Sequence, residues 1–540
     1  MTAALATGTV AAAEPRRALA GLALRQIRRG TAVVTVAATG ISTLVAAQYQ
    51  ATFAETLDSG ALRALAENPA VRILFGAPLA LDDPGGFTVW RTGTPVLVLC
   101  GVWALLTATR LTRGQEDAGY WDLLLGGRTR MLDLVSHAAV MMTWAAVFVA
   151  TGVGAGLVVA GTDPTGALLH ALCVFASTTA FASLGLLASQ AFPSRAAATG
   201  FAGAVLGLSL LLRMLADGVA ALAWTAWLTP FGLSARTAPY ADNRIEPVLV
   251  LVGSAAAATV AALLLARRRD LGGALITLPG TRPPRTRLLG SLHGFAVRRA
   301  LAPTMGWAAG IGAYFLLLGA LIASILEFFD KNPRFAELAA TAGFGGLETV
   351  SGFAAAMFAL LAIPAGLYAT VRISAVAADE RARRWNLLHS LPLSRYRWVS
   401  TETAVTTAGI AVLLGVAAVA MWLGAVITGA QLGFGQALAG AFNVAPVALL
   451  GLGAAVAALG WYPTAVAAIG AVPVAGGFLL DVIVQSIHAP AWSSKISPFA
   501  HLAAVPDTAP DWVASGVLTA VAAALIAIGL IGCARRDLDG

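Results

Sequence analysis

Few residues in this chain could carry out covalent or metal chemistry. The six histidines, His137, His170, His293, His389, His488 and His501, are scattered, with no H-x-x-x-H or H-E-x-x-H pair to hold zinc. Cys100, Cys173 and Cys533 each lie inside an apolar run without CxxC or His-flanked spacing, and read as small core residues. Neither a G-x-S-x-G nucleophile elbow nor a G-x-x-x-x-G-K-[ST] phosphate loop occurs. We therefore expect no catalytic residue, no metal and no resident cofactor in this chain. Three charged residues in apolar surroundings remain. Arg213 and Asp217, four apart in "LLLRMLADG", share a helix face and could pair, and Asp481 stands in "GFLLDVIVQ". Burying such a group in a bilayer costs roughly 3 kcal/mol or more, which marks a gate or a pathway. The alternative is a place at the outer boundary, where the side chain snorkels to water.

A second set of charges is spelled twice. "EDAGYWDLLLGG" at 116–127 has a partner in "DERARRWNLLHSLPLSR" at 379–395. Glu116 and Trp121 return 264 positions later as Glu380 and Trp385, and Asp122-Leu123-Leu124 as Asn386-Leu387-Leu388. Helical spacing would rest Trp121, Leu124 and Leu125 on the bilayer or on neighbouring helices and keep Arg113, Glu116 and Asp117 wet. A connector of this kind is ordinary when it occurs once. Two equivalent copies suit a two-fold partner docked on one side.

The elements that must position these residues are membrane helices. A mean hydropathy of +0.79 with 11% charged residues excludes a soluble globular domain, which carries about 25%. Apolar runs long enough to cross a bilayer fall at about 31–50, 93–110, 133–160, 167–190, 198–221 and 246–266. Six more fall at about 301–325, 351–371, 400–428, 436–460, 464–485 and 512–533. The expected fold is an all-α polytopic membrane protein of about twelve transmembrane helices. With the N-terminus inside, the inside segments hold 26 of the 35 basic residues, so both termini are expected in the cytoplasm. The net charge of +8 is then a topology signal, and no nucleic-acid partner is expected.

Further anchors repeat in the same order. Arg28-Arg29 matches Arg298-Arg299, Pro193 and Gly200 match Pro463 and Gly470, and "TPFG" at 229–232 matches "SPFA" at 497–500. Two six-helix repeats follow, and because six is even they are parallel. The expected organisation is a first half at 1–266 and a second at 301–540, joined by an Arg/Pro/Gly-rich cytoplasmic linker at 267–300. The first half opens with a tail and an interfacial helix at 1–30.

"RLTRGQEDAGYWDLLLGGRTR" and "DERARRWNLLHSLPLSRYRW" resemble the "E-x-x-G-x-x-E-x-L-L-x-x-P-x-S-R" segment of type-2 ABC exporter permeases. "LTPFGLSARTAPYADNRIEPVLV" resembles that family's stretch before span six. The likeness is greatest to fused twelve-span actinobacterial permeases for polyketide antibiotics such as tetronasin. It implies a permease paired with P-loop ATPase subunits, two copies, which bind the ATP and Mg. Glu116, Trp121 and Asp122 match the first coupling segment. Glu380, Trp385, Asn386, Pro392, Ser394 and Arg395 match the second. The first copy lacks the motif's proline, and Asn386 replaces an acid, so the two halves are expected to couple unequally. Cargo would be amphiphilic or hydrophobic small molecules or lipids, exported across the plasma membrane of a bacterium whose arginine-dominated basic residues fit a GC-rich genome. The alternative function is a proton-coupled secondary drug transporter working through Asp217 and Asp481.

Overall fold

In a computed structural model the protein is helical, and no strand occurs among the described residues. The structure describes residues 15–50, 72–73, 75–127, 129–218, 220–276, 288–331, 346, 348–381, 385, 393–486 and 491–536. The chain divides into two compact units, Met1–Thr281 and Arg282–Gly540.

The first unit contains α1 (Pro15–Gln48), α2 (Pro84–Leu111), α3 (Arg113–Asp117), α4 (Tyr120–Leu125) and α5 (Met131–Val159). It continues with α6 (Pro164–Ala191), α7 (Arg195–Gly218), a 3-10 segment (Ala220–Leu228), α8 (Pro230–Arg236) and α9 (Glu246–Arg268). The starts of α2 and α6 share a local cause. Asp83 accepts hydrogen bonds from the Gly85 and Gly86 amides at 2.8 and 2.9 Å, and Asp163 accepts one from Gly166 at 2.9 Å. In each case the next residue is a proline at the first helical position, where the missing N–H costs nothing.

The second unit contains α10 (Leu292–Lys331), α11 (Val350–Arg381), α12 (Arg395–Ile427), α13 (Phe434–Asn443) and α14 (Ala445–Trp461). After these come α15 (Val466–Ala471), a π segment (Val472–Gly476), α16 (Gly477–Ser486) and α17 (Trp512–Arg535). Close helix crossings are made by small residues. A Cβ on Gly424 would overlap the Leu316 carbonyl of α10, and one on Gly460 would overlap the Gly529 carbonyl of α17.

Eleven described helical stretches, α13 and α14 together forming one of them, are long and apolar enough to cross a membrane, and they coincide with eleven of the twelve expected spans. The twelfth stretch, 464–485, is interrupted. Pro473 offers no N–H and crowds the carbonyl one turn back, and the chain answers with the π segment. Its counterpart in the first unit, α7, has Gly203 at the equivalent place and stays unbroken. The expected interfacial helices at the start of each half are not separate. Residues 22–30 belong to the 34-residue α1, and 292–299 to the 40-residue α10. At 1.5 Å per residue α1 is roughly 51 Å long, well beyond a hydrocarbon core of about 30 Å.

The outward faces are apolar. Val33, Val36, Trp144, Phe148, Val513 and Val517 are all more than half exposed on these helices. Such a surface suits lipid and would drive association in water. The chain is a polytopic membrane protein.

Candidate functional site

The first repeated segment is two short helices rather than one. Gly119 sits between α3 and α4 at φ +76°, a left-handed conformation that glycine adopts without strain. The break resets the helical phase, so α4 presents its own faces. Trp121 is 1% exposed and packs with Leu134 and Val135 of α5 and Ala266 of α9. Tyr120, Asp122 and Leu123 are exposed, Leu123 to 82%.

The side chains of Glu116 and Arg113 are buried, contrary to the expectation that they stay wet. Arg269 donates to both Glu116 carboxylate oxygens, Nη1 to Oε1 at 2.8 Å and Nη2 to Oε2 at 2.7 Å. The Gly272 amide adds a bond at 2.8 Å, and Arg113 Nη1 lies 2.9 Å from Oε1. Arg113 also donates to the carbonyls of Phe192 and Gly273, at 2.5 and 2.7 Å. The carboxylate is thus compensated by two guanidinium groups and a backbone N–H, which is what a buried charge requires. Asp117 stays exposed and accepts from the Arg195 amide at 2.8 Å.

The second unit builds a comparable junction. Glu380, near the end of α11, pairs with Arg536, and the Arg536 carbonyl accepts from Arg395. Trp385 is 6% exposed and donates its indole N–H to the Val376 carbonyl at 3.2 Å. A crevice between these groups is lined by Trp385, Trp398, Val399, Cys533 and Arg536. Ser394 caps α12. Asn386 and Pro392 lie outside the described residues.

Beside this junction stands a charge network that the sequence did not announce. Glu402 on α12 is 1% exposed and accepts from Arg299 at 2.5 Å and from Arg372 at 2.9 Å. Arg299 also donates to Asp379 at 2.6 Å. Its guanidinium lies 4.5 Å from the Trp385 ring centroid and 5.7 Å from that of Trp398, a cation–π arrangement. Arg372 therefore belongs to a helix and not to a cytoplasmic loop. The pairs are separated by 103, 30 and 80 residues, too far for local periodicity to reveal them.

Arg213 and Asp217 do pair, Nε to Oδ2 at 2.7 Å, and Arg213 is 2% exposed. The guanidinium packs over Gly76, whose φ of +98° only glycine tolerates easily. Arg213 is buried within its unit. Asp481 is half-buried on α16 of the second unit. Among the described residues no group of His, Cys, Asp and Glu could hold a metal ion.

Apolar helices of membrane-spanning length, with charges gathered at the junctions described above, define a polytopic helical membrane protein. Known proteins agree. Residues 289–533 match the family described as "Multidrug efflux system permease Rv1217c, C-terminal domain". Over 499 residues the chain is 27% identical to the multidrug efflux system permease protein Rv1217c of Mycobacterium tuberculosis, spanning 89% of this chain and 87% of that one. The similarity reaches both units and supports an efflux permease.

Proposed function

We propose that this chain is the transmembrane permease of an ATP-driven, ABC-2 type exporter in a bacterial plasma membrane. Two separate P-loop ATPase subunits would supply ATP and Mg, and the cargo would be amphiphilic or hydrophobic small molecules such as drugs, polyketide-like antibiotics or lipids. The observation that carries the reading is α4. It anchors Trp121 inside the unit while holding Tyr120, Asp122 and Leu123 out, which gives a soluble engine a rigid handle. The recurrence of Glu380 and Trp385 supplies a second handle for a two-fold partner. Similarity to an efflux permease over 89% of the chain supports the direction of transport. A proton-driven mechanism through Asp217 and Asp481 fits less well, because it leaves the doubled Glu116–Trp121 and Glu380–Trp385 segments without a role.

The test is a mild-detergent pull-down from native membranes with mass spectrometry of what accompanies the chain. A P-loop ATPase should be recovered, and its yield should fall at least several-fold with Asp122→Arg or Leu123→Asp. Those exposed positions leave the Glu116 junction intact. A chain that purifies alone and transports on a proton gradient would overturn the reading.

A further inference from the structure

We propose that Glu116–Arg269 and Glu380–Arg536 are transmission links. Each would carry movement from the cytoplasmic end of its unit's second span, where the repeated segment begins, to the end of that unit's last span. The inference rests on the ATP-driven reading above and names the residues through which the force passes.

Three observations support it. First, the two pairs are equivalent. Arg269 is the C-cap of α9 at φ −100°, ψ 137°, and Arg536 is the C-cap of α17 at φ −75°, ψ 130°. Each glutamate lies within a few residues of the end of its second span, in α3 and at the end of α11. Second, the apolar surroundings recur with the charges. Trp121 meets Leu134, Val135 and Ala266, while Trp385 shares its crevice with Trp398, Val399 and Cys533. Trp398 and Val399 stand 264 positions after Leu134 and Val135, and Cys533 stands 267 after Ala266. The same three chain segments, the end of span two, the start of span three and the end of the last span, therefore meet at one point in each unit. Third, the first link has a geometry that resists sliding. Arg269 grips Glu116 through both guanidinium nitrogens, and a bidentate fork fixes orientation as well as distance. A packed tryptophan alone could slip along an apolar helix.

Stability alone would not require charge here, since well-packed hydrophobic residues serve as well or better in place of a buried ion pair. The links are also graded. Glu116 is 5% exposed with four partner contacts, whereas Glu380 and Arg536 are 21% and 25% exposed. The first unit should pass on displacement more stiffly than the second.

The test uses the full chain with its co-purified ATPase in lipid nanodiscs. Spin labels are placed at Ala118→Cys, between α3 and α4 and outside the docking handle, and at Ile245→Cys just before α9, both exposed positions. The three native cysteines are buried, which favours selective labelling. Addition of ATP and vanadate should shift the distance distribution between the labels. Glu116→Gln and the milder Arg269→Lys, which keeps the charge but loses the fork, should abolish that shift with the ATPase still bound. If Glu116→Gln fails to assemble, Arg269→Lys decides. A shift that persists in both variants makes the pairs structural only and overturns the inference, as does a shift absent from the unsubstituted chain with its ATPase bound. Recovery of no ATPase with the unsubstituted chain instead overturns the ATP-driven reading, and the links fall with it.

Discussion

Glu402 shows how this protein manages charge at the level of single residues. It is 1% exposed, each of its oxygens faces a guanidinium, and one of those, Arg372, is itself 5% exposed. Removing one partner from such a group leaves an uncompensated buried charge, at a cost of about 3–5 kcal/mol. Glu402→Gln should therefore cost about 3 kcal/mol, toward the lower end because the amide oxygen still accepts a bond. Glu380→Gln should cost about 1 kcal/mol or less, because that pair is a quarter exposed and water screens it. Melting of the two variants in detergent, followed by near-ultraviolet circular dichroism, compares them directly. The Trp385 and Trp398 rings beside Arg299 should report the change. Equal losses of melting temperature would mean that the Arg299–Glu402–Arg372 network is as solvated as the Glu380 pair.

Helices in this molecule are held by close approach. At the α10–α12 crossing, the positions a Cβ would take on Gly319 and Gly424 are occupied by the backbone of the opposite helix, at Met421 and Leu316. Backbone cannot rotate away as a side chain can, so Gly424→Val has to push the helices apart. Overpacking of this kind costs about 1–3 kcal/mol. Gly415→Val on the same helix meets open space and should be neutral. Thermal unfolding of the two variants tests this, and equal stability would mean that the crossing yields freely. The positions of the spans were legible because a bilayer demands about 20 apolar residues in a row, and composition alone displays that. The repeated glutamate and tryptophan were legible as a pattern, but the burial of Glu116 was not. Its partner Arg269 lies 153 residues away, and the helical phase that seemed to turn Glu116 toward water is broken at Gly119. Similarly, Pro473 was visible in an apolar run, yet only the folded chain shows that it turns the stretch into a π segment between two shorter helices.

For the whole molecule, the distribution of charge must agree with the parity of the spans. An odd number of crossings in the first half would set the repeats antiparallel, and an odd number in the second would move the end of the chain, with Arg535 and Arg536, to the wrong side. The interrupted stretch Val466–Ser486 is the critical one, because α15, the π segment and α16 must together count as one crossing if Arg535 and Arg536 are to share a side with Arg267–Arg269. The second unit's own geometry requires this, since Arg536 pairs with Glu380 at the end of the second of its spans, as Arg269 pairs with Glu116 just after that of the first. A link between the ends of spans two and six can form only if an even number of crossings separates them. Fluorescent-protein fusions, which mature inside the cell, should therefore be bright after residues 276 and 536. Alkaline-phosphatase fusions, active only outside, should be active after residues 243 and 507. A phosphatase active after residue 536 would mean that the broken stretch re-enters without crossing. Arg536 and Glu380 would then lie on opposite faces of the membrane, and their pairing could not stand.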